Sequence, residues 1–482
     1  MFLKIKLSVC LLLCVVITHA QKRWSLVECV QYAWDSNMSV RQSEVQAHIA
    51  GINYKQSKLS RIPTLNNSNN VGYRFGKSQN PSTGILENQN YFQIGINLQS
   101  SATIFNWFSK KNTILADEWS AEAANAATDK LKNDVGLSVA NSYLQVLLNI
   151  QQEQIAAVQV QQSLSQLDIT RKQVQAGALP ELNAVELESQ LAGDSANLIT
   201  AQGNVTQAKY VLKSYMGLDA GAPFEIEEPP IDQIPLEPIA DLQPESVYAL
   251  ALANQPQQRY NLFNLRAAEK NSLAAKGMLY PSISAYGSIG TNYGFFKTPR
   301  YNQILTGYSP SGLVISDGSG GYIDVLAPDF VNGSKSGYNT SPKLSTQFSN
   351  NFGQTIGIGL SIPLFNGWQA RANYERSKLN IKTLEYQNTL DNQTLKQNIY
   401  QAYNAAVVAL EKLNSSRKQV NASQQSYDFA LKRYTVGMLT TLELITNQNN
   451  LFSAKLQYVS NQFDYVFKMK VLEFYKGMGI KL

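Results

Sequence analysis

The sequence predicts a mainly α-helical protein that also contributes strands to a β-barrel, and three observations favour this fold class. The first is an internal duplication, because the surroundings of Gly437 repeat those of Gly177, which lies 260 positions earlier. The second is a pair of very long segments without proline, each of which ends at one of these glycines. The third is a set of four shorter segments in which apolar and polar residues alternate. The pattern predicts two copies of one unit, each with long antiparallel helices and two strands.

The N-terminal residues 1–20 predict a signal peptide. Lys4 and Lys6 precede an apolar run from Leu7 to Ile17, and Ala20 is a small residue directly before Gln21. The protein is therefore expected to be exported. After this segment no run of about 20 apolar residues occurs, so no transmembrane helix is expected.

Charge and residue types exclude several classes of function. The formal net charge of +6 over 482 residues comes without a basic cluster, so nucleic acid is not an expected partner. Beyond the signal peptide the chain holds one cysteine, Cys29, and one histidine, His48. A disulfide within the chain, a metal site and a cofactor are therefore not expected. Since a phosphate-binding loop is also missing, the sequence predicts that the protein is not an enzyme.

The first copy covers residues 21–217 and is predicted to contain three helices and two strands. Ser25 is a suitable N-cap for the first helix, and Pro63 ends it. The segment that leads to Gly177 has no proline over about 70 residues, which corresponds to a helix of roughly 105 Å. The predicted helices cover residues 24–60, 105–176 and 180–216, and the predicted strands cover about 64–76 and 91–103.

A proline-rich linker, residues 218–243, joins the first copy to the second copy, residues 244–482. The predicted helices of the second copy cover residues 244–280, 367–436 and 438–476, and its strands cover about 282–295 and 354–365. Residues 296–353 are an insertion rich in Gly, Ser, Asn and Tyr, which is expected to form a long surface loop. In both copies the two shorter helices together match the long one, which predicts an elongated helical body.

The four alternating segments have the length of strands that cross a membrane. In one of them Phe92, Ile94 and Ile96 alternate with polar or small residues. Strands of about 10 to 14 residues can cross a bilayer at a tilt, whereas the alternative is a four-stranded sheet of a soluble protein. Four strands cannot close a barrel in lipid, but two chains would supply eight strands and three chains twelve. The sequence thus predicts a tube made of several chains, and it does not decide between two chains and three.

Heptad spacing predicts which residues of the second hairpin form its core. The predicted core positions of the long helix are Leu395, Ile399, Ala402, Ala406, Ala409, Leu413, Ser416, Val420, Ser423, Tyr427, Ala430 and Tyr434. The predicted core positions of the last helix are Leu442, Ile445, Asn449, Phe452, Leu456, Val459, Phe463 and Val466. The polar face that begins at Glu443 is either a solvated outer surface or the wall of a water-filled lumen.

The sequence resembles the TolC-type outer membrane efflux family over nearly all of residues 24–477. The motifs that carry the resemblance are Tyr280-Pro281-Ser282-Ile283, Pro363-Leu364-Phe365-Asn366-Gly367-Trp368, Arg433-Tyr434-Thr435-Val436-Gly437 and Tyr475-Lys476-Gly477. The resemblance implies a homotrimer, with four transmembrane strands per chain closed into a twelve-strand barrel in outer membrane lipid. It also implies a periplasmic α-barrel of coiled-coil hairpins that docks to a periplasmic adaptor protein and an inner membrane transporter.

The function implied is a passive trimeric conduit from the periplasm to the outside, the outer membrane channel component of a tripartite efflux or secretion system. The alternative is an exported coiled-coil scaffold or adhesin without a pore. As members of this family do, the chain would dock its adaptor through the two hairpin tips. The matching residues are Ala176, Gly177 and Ala178 in one tip and Val436, Gly437 and Met438 in the other.

The resemblance also implies a constriction of the tunnel near these tips. The acidic ring positions of the family correspond to Glu443, Asn183 and Thr446, so one carboxylate per chain is expected in the pore. Tyr434 matches a tyrosine that ties the two hairpins together and would serve as a gating contact. The usual basic partner is replaced by Leu439.

Overall fold

The structure is a computed structural model that describes residues 23–79, 86–88, 90–231, 234–295 and 297–477. The predicted signal peptide lies outside the described residues. The chain divides into two compact units, and each unit combines segments from both halves of the sequence. The helical unit comprises the described parts of residues 1–55, 113–272 and 374–482, and the strand unit comprises those of residues 56–112 and 273–373.

Nine helices occur within the described ranges. They are α1 Leu26–Ser36, α2 Met38–Leu59, α3 Ser109–Gln175, α4 Glu181–Met216, α5 Pro244–Asn254, α6 Pro256–Gly277, α7 Leu344–Asn350, α8 Gln369–Thr435 and α9 Thr441–Tyr475. A short 3₁₀ turn covers Ile239–Asp241. The two long helices, α3 and α8, contain 67 residues each. None of the described helices is long and apolar enough to cross a lipid bilayer.

Ten strands accompany these helices in the described residues. They are β1 Arg23–Trp24, β2 Thr64–Arg74, β3 Lys77–Gln79, β4 Leu86–Asn88, β5 Tyr91–Phe105, β6 Glu225–Ile226, β7 Ser282–Phe295, β8 Lys297–Ser316, β9 Tyr322–Thr340 and β10 Gly353–Ser361. Four of them form an antiparallel sheet in the order β10-β7-β5-β2. The remaining strands form three pairs, β1 with β6, β3 with β4 and β8 with β9.

The predicted single helices 24–60 and 244–280 are each broken into two helices, and the breaks are at equivalent positions. Asn37 has an extended backbone, and its side-chain Oδ1 accepts a hydrogen bond from the backbone N–H of Ser39 at 2.9 Å. Such a side chain competes with the helix for backbone donors and caps the next helix instead. At the second break Gln255 precedes Pro256, and a residue before proline is driven out of the helical region.

The predicted long loop 296–353 is wrong, because this insertion contains two strands and a helix. Strands β8 and β9 pair in antiparallel register from Lys297↔Thr340 to Ser316↔Tyr322. Gly318 and Gly320 have positive φ values of 78° and 90°, which allow the tight reversal between the strands. Helix α7 then lies at the end of β7, where Gln347 and the backbone of Gly294 exchange two hydrogen bonds.

The helical unit contains several apolar clusters, and the one that holds Tyr143 includes part of the linker. Tyr143, Leu212 and Met216 are fully buried in it together with Ile226 of the linker. The hydroxyl of Tyr143 donates to the carbonyl oxygen of Glu227 at 2.7 Å, and burial raises the pKa of this phenol. A second tie is the ammonium group of Lys470, which donates to Pro235 O at 2.7 Å and to Glu473 Oε2 at 2.8 Å. The linker is therefore held along its length by buried groups.

Burial confirms the predicted stripe of α8 and, at Phe463 and Val466, the end of the predicted stripe of α9, but it corrects the start of the α9 stripe. The buried residues of α8, which all belong to the predicted stripe, are Ile399, Ala406, Ala409, Ser416, Ala430 and Tyr434. At the start of α9 the buried residues are Thr441, Leu444, Gln448 and Leu451, one position before the predicted ones. Leu442 is 64% exposed. Two stripes one residue apart have the same 3-4 spacing, and the packing against the neighbouring helices selects between them.

Candidate functional site at the hairpin tips

The tip of the first hairpin, between α3 and α4, is a Schellman motif. Gly177 has a φ of 71°, and its backbone N–H donates to Val174 O at 2.9 Å. The N–H of Ala178 donates to Gln173 O, also at 2.9 Å. These two bonds satisfy carbonyl groups at the end of α3, and the left-handed conformation that they require suits glycine.

The tip of the second hairpin, between α8 and α9, repeats this geometry. Gly437 has a φ of 74°, its N–H donates to Tyr434 O at 3.0 Å, and the N–H of Met438 donates to Arg433 O at 2.8 Å. The sequence prediction of a glycine cap at both helix ends is thus confirmed. The docking role of these residues stays a prediction.

The surfaces of the two tips differ in chemistry. All six predicted docking residues are exposed, but the first tip presents Ala176 and Ala178 whereas the second presents Val436 and Met438. Val436 is 69% exposed and Met438 is 71% exposed. Exposed apolar side chains that lie together commonly mark a binding surface, so the second tip offers more apolar surface to a partner.

A cleft of about 640 Å³ lies behind the tips, between α3 and α8. Its apolar lining includes Ile169 of α3 and Leu431 of α8, and polar groups are supplied by Gln166, Gln173 and Thr435. A pocket with apolar walls and a few polar groups is the usual form of a recognition site. Sequence reasoning did not identify this cleft, because it forms between residues far apart in the chain.

Glu443 takes part in a capping box at the start of α9. Its carboxylate Oε2 accepts hydrogen bonds from the backbone N–H of Thr440 at 3.0 Å and from the hydroxyl of Thr440 at 2.8 Å. The N–H of Glu443 in turn donates to the Thr440 hydroxyl at 3.3 Å. These bonds to Thr440 hold the pKa of the Glu443 carboxyl below its usual range. The spacing Thr-x-x-Glu could have revealed the box in the sequence.

The position equivalent to Glu443 in the first hairpin carries no charge. The reason lies at the start of α4, which lacks the side-chain cap that α9 has. Pro180 stands where Thr440 stands in the second hairpin, and no side-chain bond caps α4. Asn183, at the position of Glu443, is half-buried, and its N–H donates to Pro180 O at 3.2 Å. A proline side chain cannot form the reciprocal bond, so the acidic partner has no capping role in this hairpin.

Glu443 and Thr446 lie on one exposed face of α9, which continues to Asn450. The Thr446 hydroxyl bonds to Leu442 O at 2.8 Å, which leaves its oxygen at the surface. Asn183 belongs to α4 in the other hairpin. The structure of one chain thus places two of the three predicted ring residues, Glu443 and Thr446, on one face. A ring of these residues would require several copies of the chain.

Tyr434 joins three helices just behind the second tip. It is 7% exposed, its hydroxyl lies 3.2 Å from the Thr170 hydroxyl of α3, and it accepts a bond from the Thr441 hydroxyl of α9 at 3.4 Å. Leu439 packs against the buried cluster of Ala430, Tyr434 and Leu444, so an apolar residue occupies the place of the expected basic residue. The predicted contact between hairpins exists, and its gating role stays a prediction.

A second polar connection between the hairpins was missed by sequence reasoning. The hydroxyl of Ser163 donates to Asp194 Oδ2 at 2.5 Å, and Gln448 Nε2 donates to Ser163 Oγ at 3.1 Å. The side-chain amides of Gln190 and Asn449 exchange two hydrogen bonds, at 2.9 and 3.2 Å. Ser163, Asp194 and Gln448 are buried, and the polar residues at heptad core positions were the available signal.

The described residues contain no group of three or more His, Cys, Asp or Glu side chains that could hold a metal ion. The arrangement at the tips consists of helix caps, hydrogen bonds and exposed apolar side chains.

The chain combines long helical hairpins, whose tips are capped by Gly177 and Gly437, with a four-stranded antiparallel sheet, and this defines a class of mixed hairpin and sheet proteins. The chain belongs to the outer membrane efflux protein family, whose model matches residues 29–218 and 326–468. It is accordingly an efflux protein of the outer membrane.

Relatives agree with this assignment, and a solved structure has a similar fold. The chain is 20% identical to the outer membrane protein TolC of Salmonella enteritidis over 456 residues, which cover 94% of this chain and 82% of that protein. It is 21% identical to the outer membrane efflux protein BepC of Brucella suis over 90% of this chain and 81% of that protein. Its fold is similar to the crystal structure of VceC of Vibrio cholerae, with a TM-score of 0.70, 15% identity, and coverage of 95% and 97% of the two chains.

Proposed function

We propose that the chain is the outer membrane channel component of a tripartite efflux or secretion system, a passive conduit made of three copies. The observation that carries this proposal is an exposed apolar face on the four-stranded sheet. Ile356, Ile358 and Leu360 of β10 are 93%, 73% and 63% exposed. Side chains with this exposure are poorly suited to water and well suited to lipid.

The pairing register supports a single apolar face. Ile358 lies opposite Ala285, Leu360 lies opposite Ile283, and Ile289 lies opposite Leu98. Cross-strand partners lie on the same side of a sheet, so these residues face one way together with Ile94 and Ile96 of β5. The alternation in β5, β7 and β10 supports membrane-crossing strands, whereas the first half of β2 places Asn67 and Asn69 on this face, opposite Leu98 and Ile96.

The outer edges of β2 and β10 supply the reason for assembly. In the described chain β2 pairs with β5 alone and β10 pairs with β7 alone. An unpaired backbone edge is not tolerated in hydrocarbon, so β2 of one copy would pair with β10 of the next until the barrel closes. Three copies would give twelve strands and a water-filled barrel, whereas two copies would give eight and a barrel filled by side chains.

The hairpin tips are proposed to dock on a periplasmic adaptor, which connects the channel to an inner membrane transporter. The exposed Val436 and Met438 and the cleft behind the tips support this part of the proposal. Glu443 and Thr446 are proposed to line the periplasmic entrance, where copies of the carboxylate would concentrate cations.

The test uses the purified full-length protein in detergent and in planar bilayers. We expect three chains by native mass spectrometry and discrete ion conductance after insertion. A folded monomer, or a trimer without conductance, would contradict the proposal. Conductance separates the channel from an exported scaffold or adhesin, since the scaffold would form the same helices without a pore.

A further inference from the structure

Strands β8 and β9 form a two-stranded ribbon, residues 297–340, that extends from the strand unit. It begins directly after β7 and leads back through α7 to β10, at the ends of these strands that are remote from α6 and α8. The ribbon pairs only with itself in the described structure. A two-stranded ribbon without a further layer is marginally stable in water, so packing is expected from elsewhere.

One face of the ribbon is apolar. The register pairs Leu305 with Phe330, Tyr308 with Pro328 and Pro310 with Leu326. Within β9 the positions 326, 328 and 330 alternate to the same side, so all six residues share one face. Leu305, Tyr308, Leu326 and Phe330 are 47%, 63%, 56% and 50% exposed. Large apolar side chains are therefore open to solvent along the middle of the ribbon.

The opposite face carries small or polar residues in the centre of this stretch, where Gly307 pairs with Asp329 and Ser309 pairs with Ala327. The apolar pair of Ile304 and Val331 lies on that face at the edge of the stretch. The Ser309 hydroxyl donates to Asp329 Oδ1 at 2.8 Å, so the polar groups of this face satisfy one another. The ribbon is amphipathic, and the apolar face is the one that lacks a partner.

We propose that this apolar face packs against the ribbons of neighbouring copies of the same chain. The inference rests on the proposed function, because closure of the barrel places one ribbon per copy at the same rim. The ribbon leads through α7 to β10, the edge strand that would pair with the next copy, so the end of each ribbon is connected to the edge that faces a neighbour.

Charge supports a second copy as the occupant. Identical surfaces that meet around a symmetry axis bring like charges together, which is unfavourable. The six residues of the apolar face are Leu305, Tyr308, Pro310, Leu326, Pro328 and Phe330, none of which is charged. The polar face carries Asp329 in the same stretch. A charged partner would favour a face of the opposite charge, whereas a contact between identical copies favours an uncharged face.

The ribbon also belongs to an insertion of the second copy of the internal repeat. Residues 296–352 separate β7 from β10, whereas the shorter segment 75–90 separates β2 from β5 in the first copy. An added element that buries apolar surface between copies would strengthen the trimer and narrow its mouth.

The test places single cysteines on adjacent residues of opposite faces. Tyr308→Cys lies on the apolar face and Ser309→Cys on the polar face, both in a Cys29→Ala background because Cys29 is the one cysteine after the signal peptide. Purified trimers are treated with a flexible bismaleimide and separated on a denaturing gel. We expect covalent dimers of the chain for Tyr308→Cys, since each chain offers one thiol, and single chains for Ser309→Cys. Labelling with a monofunctional maleimide establishes that both cysteines react.

A third variant tests the contact without relying on one thiol. Phe330→Glu added to Tyr308→Cys puts one negative charge per copy on the apolar face and should abolish crosslinking. Equal crosslinking of the two faces, or none from a reactive Tyr308→Cys in an intact trimer, would overturn the proposal. Crosslinking of Tyr308→Cys to a different protein in whole cells would overturn it as well. A monomer by native mass spectrometry would overturn the proposed function itself, and the two failures are thereby distinguished.

Discussion

Glu443 accepts two hydrogen bonds from Thr440, one from the backbone N–H at 3.0 Å and one from the hydroxyl at 2.8 Å. The carboxylate that is proposed to line the pore entrance therefore also caps helix α9. A substitution of Glu443 can affect folding, ion permeation or both. Variants that separate the two roles are needed to assign either of them.

Glu443→Gln should separate charge from capping, because glutamine also serves in a capping box. We expect normal trimer stability, weaker block by a trivalent cation on the periplasmic side, and lower cation selectivity. Thr440→Ala is the matched control, which removes the cap at a cost of about 1 kcal/mol and keeps the charge. Its thermal stability should fall while block is retained. Planar-bilayer recordings and thermal unfolding measure the two effects, and identical block in wild type and Glu443→Gln would remove Glu443 from the pore.

The pH dependence of block follows from the lowered pKa of Glu443. Its hydrogen bonds from Thr440 stabilise the charged form, so the carboxylate stays ionised as the pH falls through its usual value of 4.5. Capping by the charged form stabilises the fold above the unfolded-state pKa, and this stabilisation is lost as the pH falls through the lower folded-state pKa. We expect half-maximal cation block below pH 4.5 in the wild type and at a slightly higher pH in Thr440→Ala, which loses the hydroxyl bond but keeps the larger effect of the backbone N–H of residue 440. Equal midpoints would contradict the assignment.

The effect of substituting a tip glycine should depend on whether the new residue can adopt the positive φ of the cap. A Cβ atom at Gly177 or Gly437 would meet no other atom within 4 Å, so alanine is opposed by the positive φ alone. We expect Gly437→Ala to cost about 1 kcal/mol and to retain part of the export activity. Proline, with φ near −65°, cannot adopt the cap, so Gly177→Pro and Gly437→Pro should abolish export with the barrel still inserted.

Gly193→Ala is the control for these tip variants, because Gly193 lies inside α4 with equally open space and no positive φ. It should stabilise the helix by about 1 kcal/mol. Sensitivity of cells to exported toxic compounds measures export, and surface labelling measures insertion. Wild-type resistance in both proline variants would exclude the tips as docking sites.

Tyr434→Phe should loosen the contact between the hairpins. The variant removes a buried hydroxyl that bonds to Thr170 and Thr441, and it keeps the packed ring. A lost hydrogen bond of this kind costs about 1 kcal/mol. We expect a higher single-channel conductance and easier opening, with the assembly intact. Tyr427→Phe on the same helix is the control and should leave conductance unchanged; equal conductance in all three proteins would argue against a gating role.

The sequence by itself determined the features that depend on local chemistry. Gly177 and Gly437 end their helices because no other residue takes the left-handed cap at so little cost, and the hydrogen bonds at both tips bear this out. Alternation in residues 91–103 and 282–295 predicted strands at these places, and both strands occur in the sheet. The duplication and the family motifs then led to the family of the chain.

Only the tertiary structure decided which of several locally equivalent choices the chain takes. Leu442 and Thr441 both begin a 3-4 spaced stripe, and packing against the adjacent helices buries Thr441. The insertion had the composition of a loop, yet pairing between Leu305 and Phe330 makes it a ribbon. The bond between Ser163 and Asp194 joins residues of two helices that the sequence separates. Local propensity fixes where elements begin and end, whereas the free energy of burial depends on neighbours distant in sequence.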